Sequence, residues 1–95
     1  MEVRYGTSQP EITGYSGNVS STGIMIRAVR VFAPGTILAL ELKLPSGTHR
    51  LRAQVTWARE GSVTLLSSGR VGMGLRFLDP PPEFVAALQL GKEAW

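Results

Sequence analysis

The chain has 95 residues, 43% hydrophobic and 18% charged, a composition that suits one folded domain with its own core. Its net charge of +3, from ten Arg and Lys against seven Asp and Glu, fits a small anionic ligand or an acidic partner and is weak evidence for nucleic acid. The absence of cysteine, the single histidine and the lack of an apolar run of about 20 residues exclude disulfides, a Cys or His metal cluster and a membrane-spanning helix.

Two short strands are predicted near the start, at Val3 to Tyr5 and Glu11 to Tyr15, with turn-forming residues between them. Residues 18–23 then read Asn-Val-Ser-Ser-Thr-Gly, which predicts a polar turn between two extended segments. Its Asn and Ser can hydrogen-bond to the nearby backbone, and its Gly can adopt a positive φ or let a ligand approach closely. Gly23 to Val31 is the next extended run, and Ala33-Pro34-Gly35 ends it.

Three later segments alternate between apolar and polar or small residues and are predicted to be half-buried strands. They are residues 38–44, 51–57 and 71–77, with apolar side chains expected to face inward at 38, 40, 42 and 44, at 51, 53, 55 and 57, and at 71, 73, 75 and 77. Pro45-Ser46-Gly47-Thr48 has the length of a hairpin turn. The segment from Gly61 to Arg70 is open, since Val63 to Leu66 reads either as a short strand or as part of a flexible loop.

A short helix is predicted from Glu83 to Leu90, after Asp79 and three prolines. Asp79 is a candidate cap, and prolines are tolerated in a first helical turn. Phe84 and Leu88 lie on one apolar stripe, which would either plug an open barrel mouth or pair with another chain. The strand spacing predicts an all-β fold: a small antiparallel barrel or sandwich in a single domain spanning residues 1–95.

Several short patterns along nearly the whole chain resemble the PilZ family, whose members are bacterial domains that in many cases bind cyclic di-GMP. The resemblance implies a six- or seven-stranded antiparallel β-barrel with a short C-terminal α-helix. The family signature [D/N]-x-S-x-x-G falls on Asn18, Ser20 and Gly23, the V-x-W pattern on residues 55–57, the G-M-G-L-R-F strand on 72–77, and the acidic-proline turn before the helix on 79–83.

The resemblance implies that Asn18, Ser20 and Gly23 line a surface for guanine and phosphate on the outside of the barrel. An R-x-x-x-R arm ahead of the first strand normally clamps the phosphates and stacks on the guanines. Here Arg4 is the only arginine before Arg27, and its neighbours fit the first strand better than the arm. Losing two charge-assisted contacts, each about 1.5 to 3 kcal/mol, weakens binding by at least about a hundredfold. Either the arm precedes Met1 in a longer protein, or this member lacks it.

Each candidate residue also has a purely structural interpretation. Asn18 and Ser20 would then only satisfy backbone groups at a turn. Arg27 is a candidate phosphate ligand or a solvated outward charge, and the same choice holds for Arg30, Arg50 and Arg52. Trp57 is expected in the core or at the barrel rim, the alternative being an aromatic edge that stacks on a base. His49 is expected at the surface, and Arg76 outside or on the binding face.

The function expected from the resemblance is that of a cytoplasmic bacterial receptor or adaptor domain for cyclic di-GMP. Binding would alter its contacts with a partner protein or a neighbouring domain, without a cofactor or a metal. The main alternative is a ligand-free interaction module in motility or pilus machinery, with the stripe around Phe84 and Leu88 as contact surface. Nucleic acid is disfavoured because no aromatic and basic platform appears, and an enzyme because no acid–base constellation appears.

Overall fold

The computed structural model describes residues 1–61 and 71–91, which form six strands and one helix. The predicted all-β class, the antiparallel barrel and the C-terminal helix are confirmed. The segment 63–66, which the sequence leaves open as strand or loop, lies outside the described residues. The elements are β1 (Glu2–Gly6), β2 (Ile12–Val19), β3 (Gly23–Arg27), β4 (Ile37–Leu44), β5 (Gly47–Arg59), β6 (Gly72–Leu78) and α1 (Pro82–Gly91).

The strands form a closed barrel in the order β1-β2-β3-β6-β5-β4, and every neighbouring pair is antiparallel. The first strand closes the ring by pairing with β4, with Tyr5 opposite Leu40. In a ring of six, β2 and β5 lie three strands apart in either direction. The two strands therefore stand on opposite sides of the barrel.

Alternation along the strands fills the barrel interior, as the sequence predicts. Leu38, Leu40 and Leu42 are at most 1% exposed, and no polar or charged side chain among the described residues is buried in the core. The same inward pattern holds in the other strands at Val3, Tyr5, Ile24, Ile26, Leu51, Ala53, Val55, Met73, Leu75 and Phe77.

Several predicted boundaries differ from the structure. β2 runs to Val19 rather than Tyr15, so Asn18 lies in the strand and not in the turn, and β5 covers Gly47–Arg59 rather than 51–57. β3 ends at Arg27 rather than Val31, because the ladder with β6 reaches only Ile26 opposite Met73. Beyond it the chain turns, and the Tyr5 hydroxyl donates a hydrogen bond to the Arg30 carbonyl. The β4–β5 hairpin is tighter than expected, since Leu44 pairs with Gly47 and only two residues form its turn. Gly47 has a φ of 135°, a value that L side chains rarely adopt.

The prediction that Trp57 continues the inward alternation of β5 is wrong. The pairing of β5 with β6 shifts between Val55 and Trp57, which marks a β-bulge at Thr56. The extra residue reverses the faces beyond it, so that Trp57 is 43% exposed while Ala58 packs against the core. The hydroxyl of Thr56 donates to the Gly74 carbonyl at 3.1 Å, across the irregular part of the ladder.

The helix α1 closes the barrel mouth, which decides between the two interpretations of its apolar stripe. Phe84 is fully buried and Leu88 is 4% exposed, so neither is available to another chain. The Phe84 ring lies 5.2 Å from that of Phe77 and 5.6 Å from that of His49, both edge to face. His49 is therefore half-buried beside the helix rather than a surface residue.

The expected capping role of Asp79 is also wrong. The helix begins at Pro82, so Pro81 and not Asp79 precedes it, and the N–H groups of Phe84 and Val85 donate to the Pro81 carbonyl. Asp79 instead has a φ of 46° and forms the sharp turn between β6 and α1. Aspartate tolerates this left-handed conformation better than most residues.

Candidate functional site

Residues 20–23 form a tight turn that joins β2 to β3, and Ser20 holds it together. The Ser20 N–H donates to the Gly23 carbonyl at 2.9 Å. The Ser20 hydroxyl oxygen in turn accepts from the N–H groups of Thr22 and Gly23, each at 3.3 Å. Ser20 thus satisfies backbone groups of the turn, as its structural interpretation expects, and the shape of the turn depends on this side chain.

The sequence suggests two reasons for glycine at position 23, and one of them, a positive φ, does not apply, because the φ of Gly23 is not positive. A Cβ atom there would lie 2.4 Å from the Leu75 carbonyl oxygen of β6. The backbone of β6 therefore requires glycine at this position. The other expected reason, close approach of a ligand, stays a prediction.

A second bulge shapes β2 just before the turn. The pairing of β2 with β3 shifts between Ser16 and Asn18, so Gly17 is the extra residue. A Cβ atom on Gly17 would lie 2.9 Å from the Met25 sulfur and 3.1 Å from Nε of Arg27. The bare glycine therefore leaves room for these two side chains to extend across β2 on the outer surface.

The two bulges align one row of outward positions across four neighbouring strands. Asn18 of β2 pairs with Met25 of β3, Met25 pairs with Gly74 of β6, and Gly74 pairs with Trp57 of β5. The indole of Trp57 lies over Gly74, since a Cβ there would be 2.0 Å from the indole nitrogen. Asn18 and Trp57 thus lie at the two ends of one continuous outer surface that runs half-way around the barrel. We call this surface the outer row.

Two shallow depressions meet at Asn18. One, of about 230 Å³, has Asn18 and Ser20 on one rim and Thr56 on the other, with Gly23 and Gly74 between them. The second, of about 380 Å³, runs from Asn18 over the Gly17 bulge to Met1. The Asn18 side chain is exposed and makes no hydrogen bond to another described residue. Its amide therefore faces these depressions without a hydrogen-bond partner among the described residues.

The charged side chains of β2, β3 and β6 are all positive. β2 contains no charged residue, β3 contains only Arg27 and β6 contains only Arg76, and both arginines are exposed. Arg27 pairs with Tyr15, which is 58% exposed, on the Met1 side of the outer row. An anion on these three strands therefore meets two guanidinium groups and, within the strands themselves, no carboxylate.

The remaining candidate arginines lie elsewhere. Arg4 sits in β1, opposite Glu41, so it belongs to the first strand rather than to an arm. Arg50 contacts the same Glu41 through Nε at 3.4 Å. Arg30 lies over the Phe32 ring in the loop after β3. Arg52 lines a separate depression with Leu78 and Pro81.

Of the residues proposed from the sequence, the structure brings Asn18, Ser20, Gly23 and Trp57 around one surface and puts Arg27 at its edge. Sequence reasoning missed Met25, Gly74 and Gly17 as parts of this surface. Glycines at alternate positions in the G-M-G strand were the available signal, because bare outward positions allow a close approach of other groups.

Other kinds of site find no support in the described part of the chain. Residues 1–61 and 71–91 contain no group of three His, Cys, Asp or Glu side chains placed to hold a metal ion. No helix within the same ranges is long and apolar enough to cross a membrane.

Comparison with known proteins agrees with the geometry. Residues 1–90 match the family model described as PilZ domain, which covers nearly the whole chain and so shows the family. A comparison with curated proteins finds no match.

Proposed function

We propose that this chain, which belongs to the PilZ domain family, is a receptor and adaptor domain for cyclic di-GMP. PilZ domains are generally binding and adaptor domains of this kind rather than enzymes. The bacterial and cytoplasmic setting expected from the sequence belongs to the same proposal. The ligand would lie on the outer row, with a guanine against Trp57 and Met25 and polar contacts to Asn18.

The observation that carries the proposal is the position of Asn18. Its amide is exposed, has no partner among the described residues, and stands where two depressions meet. A large aromatic face lies at the other end of the same row. An amide that reads a base edge and a ring that stacks on a base, at separate points of one surface, suit a ligand with two bases.

The position of Met1 suggests how an arginine arm would complete the site. The Met1 carbonyl accepts from the Ser16 N–H at 2.8 Å, and Met1 lines the depression that reaches Asn18. Arginines joined ahead of Met1 would therefore begin beside the ligand surface. Without them, we expect binding at least about a hundredfold weaker than with them.

The direct test is calorimetric titration of cyclic di-GMP into two proteins. One is the chain as given, and the other carries an R-x-x-x-R segment fused ahead of Met1, with an A-x-x-x-A fusion as control. We expect clear binding by the arginine fusion and weak binding by the other two. Equal, tight binding by all three would contradict the role given to the arm.

Within the binding protein, Asn18→Ala should remove most of the affinity and leave the thermal midpoint unchanged. The reason is that the Asn18 side chain is exposed and holds no hydrogen bond to a described residue. Thr48→Ala, at an exposed position of the β4–β5 hairpin, is the matched control and should bind like the parent. Unaltered affinity in Asn18→Ala would remove the observation on which the proposal rests.

A ligand-free interaction module is the second candidate, and one observation favours it. The hydrogen bonds of Ser20 and the packing of β6 on Gly23 explain two of the three signature residues structurally. This candidate predicts that no fusion binds cyclic di-GMP at millimolar concentration. Its contact surface would not be Phe84 and Leu88, which are buried.

A further inference from the structure

We propose that Arg76 of β6 binds a phosphate of the ligand on the outer row. The inference rests on the proposed function and deepens it, because it assigns a phosphate-binding cation within the barrel itself. Neither the signature turn nor an arm ahead of β1 includes this residue.

Arg76 lies at the edge of the smaller depression. It pairs with Gly23 across the β3–β6 ladder and follows Leu75, and both of these residues line the depression. Gly23 has no side chain that could cover the guanidinium from the β3 side. Arg76 is accordingly exposed on the same face of β6 as Gly74.

A neighbouring amide holds the guanidinium in place. Nη2 of Arg76 donates to Oε1 of Gln54 at 3.4 Å, and Nε2 of Gln54 donates to the Gly35 carbonyl at 3.3 Å. This chain of bonds uses one of the five N–H groups of the guanidinium, and the others have no partner among the described residues. A restrained arginine loses less side-chain freedom when it binds an anion than an unrestrained one.

The distribution of charge makes Arg76 a suitable cation for an anion bound in the smaller depression. The described residues that line the smaller depression are all uncharged, so an anion there depends on cations at its rim. Arg76 pairs with Gly23, the first residue of β3, and Arg27 is the last residue of that strand. At about 3.3 Å per residue, their backbones are about 13 Å apart along the strand. The side chains also extend in opposite directions, Arg27 over Gly17 of β2 and Arg76 towards Gln54 of β5, so they do not compete for one phosphate.

Calorimetric titration with cyclic di-GMP tests the inference. The parent protein for the variants is either the chain as given or the arginine fusion, whichever binds more tightly. Arg76→Gln should weaken binding about tenfold or more. Arg52→Gln removes the same charge from the outer face of β5, opposite Leu78, and should stay within about twofold of the parent. Raising the salt concentration should weaken binding by the parent more than by Arg76→Gln, because a charge–charge contact is screened.

Gln54 is assigned as a positioning residue by a double-mutant comparison. Gln54→Met should lower the affinity of the parent about two- to threefold and have no further effect in Arg76→Gln. Equal thermal midpoints for Arg76→Gln and Arg52→Gln would support a role in binding rather than in folding.

The outcomes separate this inference from the proposed function. If the parent binds cyclic di-GMP and Arg76→Gln binds it equally well with the same salt dependence, the role of Arg76 is refuted and the proposed function stands. If neither the chain as given nor the arginine fusion binds cyclic di-GMP, both the proposed function and this inference are refuted. A loss of affinity in Arg52→Gln as large as in Arg76→Gln would also refute it, because it would show a general effect of net charge.

Discussion

At the residue scale, two glycines on neighbouring strands are required by different neighbours. Gly23 faces the carbonyl oxygen of Leu75, which is part of the β6 backbone and cannot move without breaking the ladder. Gly74 faces the indole of Trp57, which is a side chain on the outer surface and can rotate away. The consequence of adding one methyl group should therefore differ between the two positions.

We predict that Gly23→Ala lowers the free energy of unfolding by about 1 to 3 kcal/mol, as expected for overpacking against a backbone that cannot yield. Gly74→Ala should cost less in stability and instead shift the fluorescence of Trp57, measured with Trp95→Phe in the background. Chemical denaturation and emission spectra of the two variants provide the check. Equal stability losses, with no change in emission for Gly74→Ala, would contradict the assignment.

Among the described residues, Tyr5 is the one titratable side chain in the barrel core. Its ring is fully buried, and its hydroxyl donates to the Arg30 carbonyl. Burial raises the pKa of the Tyr5 phenol above its usual value of 10.0, and the nearby positive charge of Arg30 lowers it by a smaller amount. The folded protein therefore retains this proton at a pH where the unfolded chain has lost it.

This difference predicts how stability depends on alkaline pH. Above pH 10 the unfolded state binds fewer protons than the folded state, so stability falls as pH rises through the pKa of folded Tyr5. Tyr5→Phe should cost about 1 kcal/mol below pH 10, from the lost hydrogen bond, and the gap between the two proteins should narrow above it. Urea denaturation from pH 8 to 11 measures this gap, and a constant difference would contradict the assignment. Exposed Tyr15 is present in both proteins and cancels.

At the element scale, α1 acts as a plug because its apolar face points into the barrel mouth. Phe84 contacts an aromatic ring from the barrel wall at Phe77 and another from the hairpin at His49. The helix thus completes the hydrophobic core and leaves the outer surface of β2, β3 and β6 to other roles.

We predict that Phe84→Ala lowers the free energy of unfolding by about 3 to 5 kcal/mol, the usual cost of removing a fully buried phenylalanine. Glu83→Ala, at an exposed position of the same helix, is the control and should change stability by less than about 0.5 kcal/mol. Thermal and urea denaturation compare the two. A small loss in Phe84→Ala would mean that the barrel is stable without its plug.

At the scale of the whole molecule, closure of the barrel sets where charge and aromatic surface lie. Arg50 and Arg4 share one acidic neighbour, Glu41, on the β1–β4–β5 side. Arg27 and Arg76 stand on the β3–β6 side without a carboxylate in their own strands. These four arginines are therefore divided between separate faces of the barrel.

We predict from this division that the protein does not bind nucleic acid polymers. Random oligonucleotides should give no salt-dependent shift at 50 mM salt, since binding of a polymer requires several phosphate contacts at once. Gel mobility or fluorescence anisotropy with single- and double-stranded oligonucleotides is the measurement. A shift that weakens steeply with salt would contradict the prediction and revive the nucleic-acid interpretation.

Much of the fold was predictable from the sequence because the alternation in β4, β5 and β6 is regular and the turn residues between strands are clear. The site was predictable only in part. Asn18, Ser20 and Gly23 were found from their pattern, but the roles of Ser20 and Gly23 in the turn depend on contacts within it and with β6. The inward position expected for Trp57 was wrong, because nothing in the sequence of its own strand indicates the bulge at Thr56.

Wherever a strand is regular, the amino-acid pattern alone indicates which residues point into the barrel, because the period of two is a local property of each strand. Which outward residues meet depends instead on how the strands pair. Asn18, Met25, Gly74 and Trp57 come from four strands, and their alignment follows from the bulges at Gly17 and Thr56 and from the order of strands in the ring. Strand register and ring order arise from pairing between distant segments, which no single strand encodes.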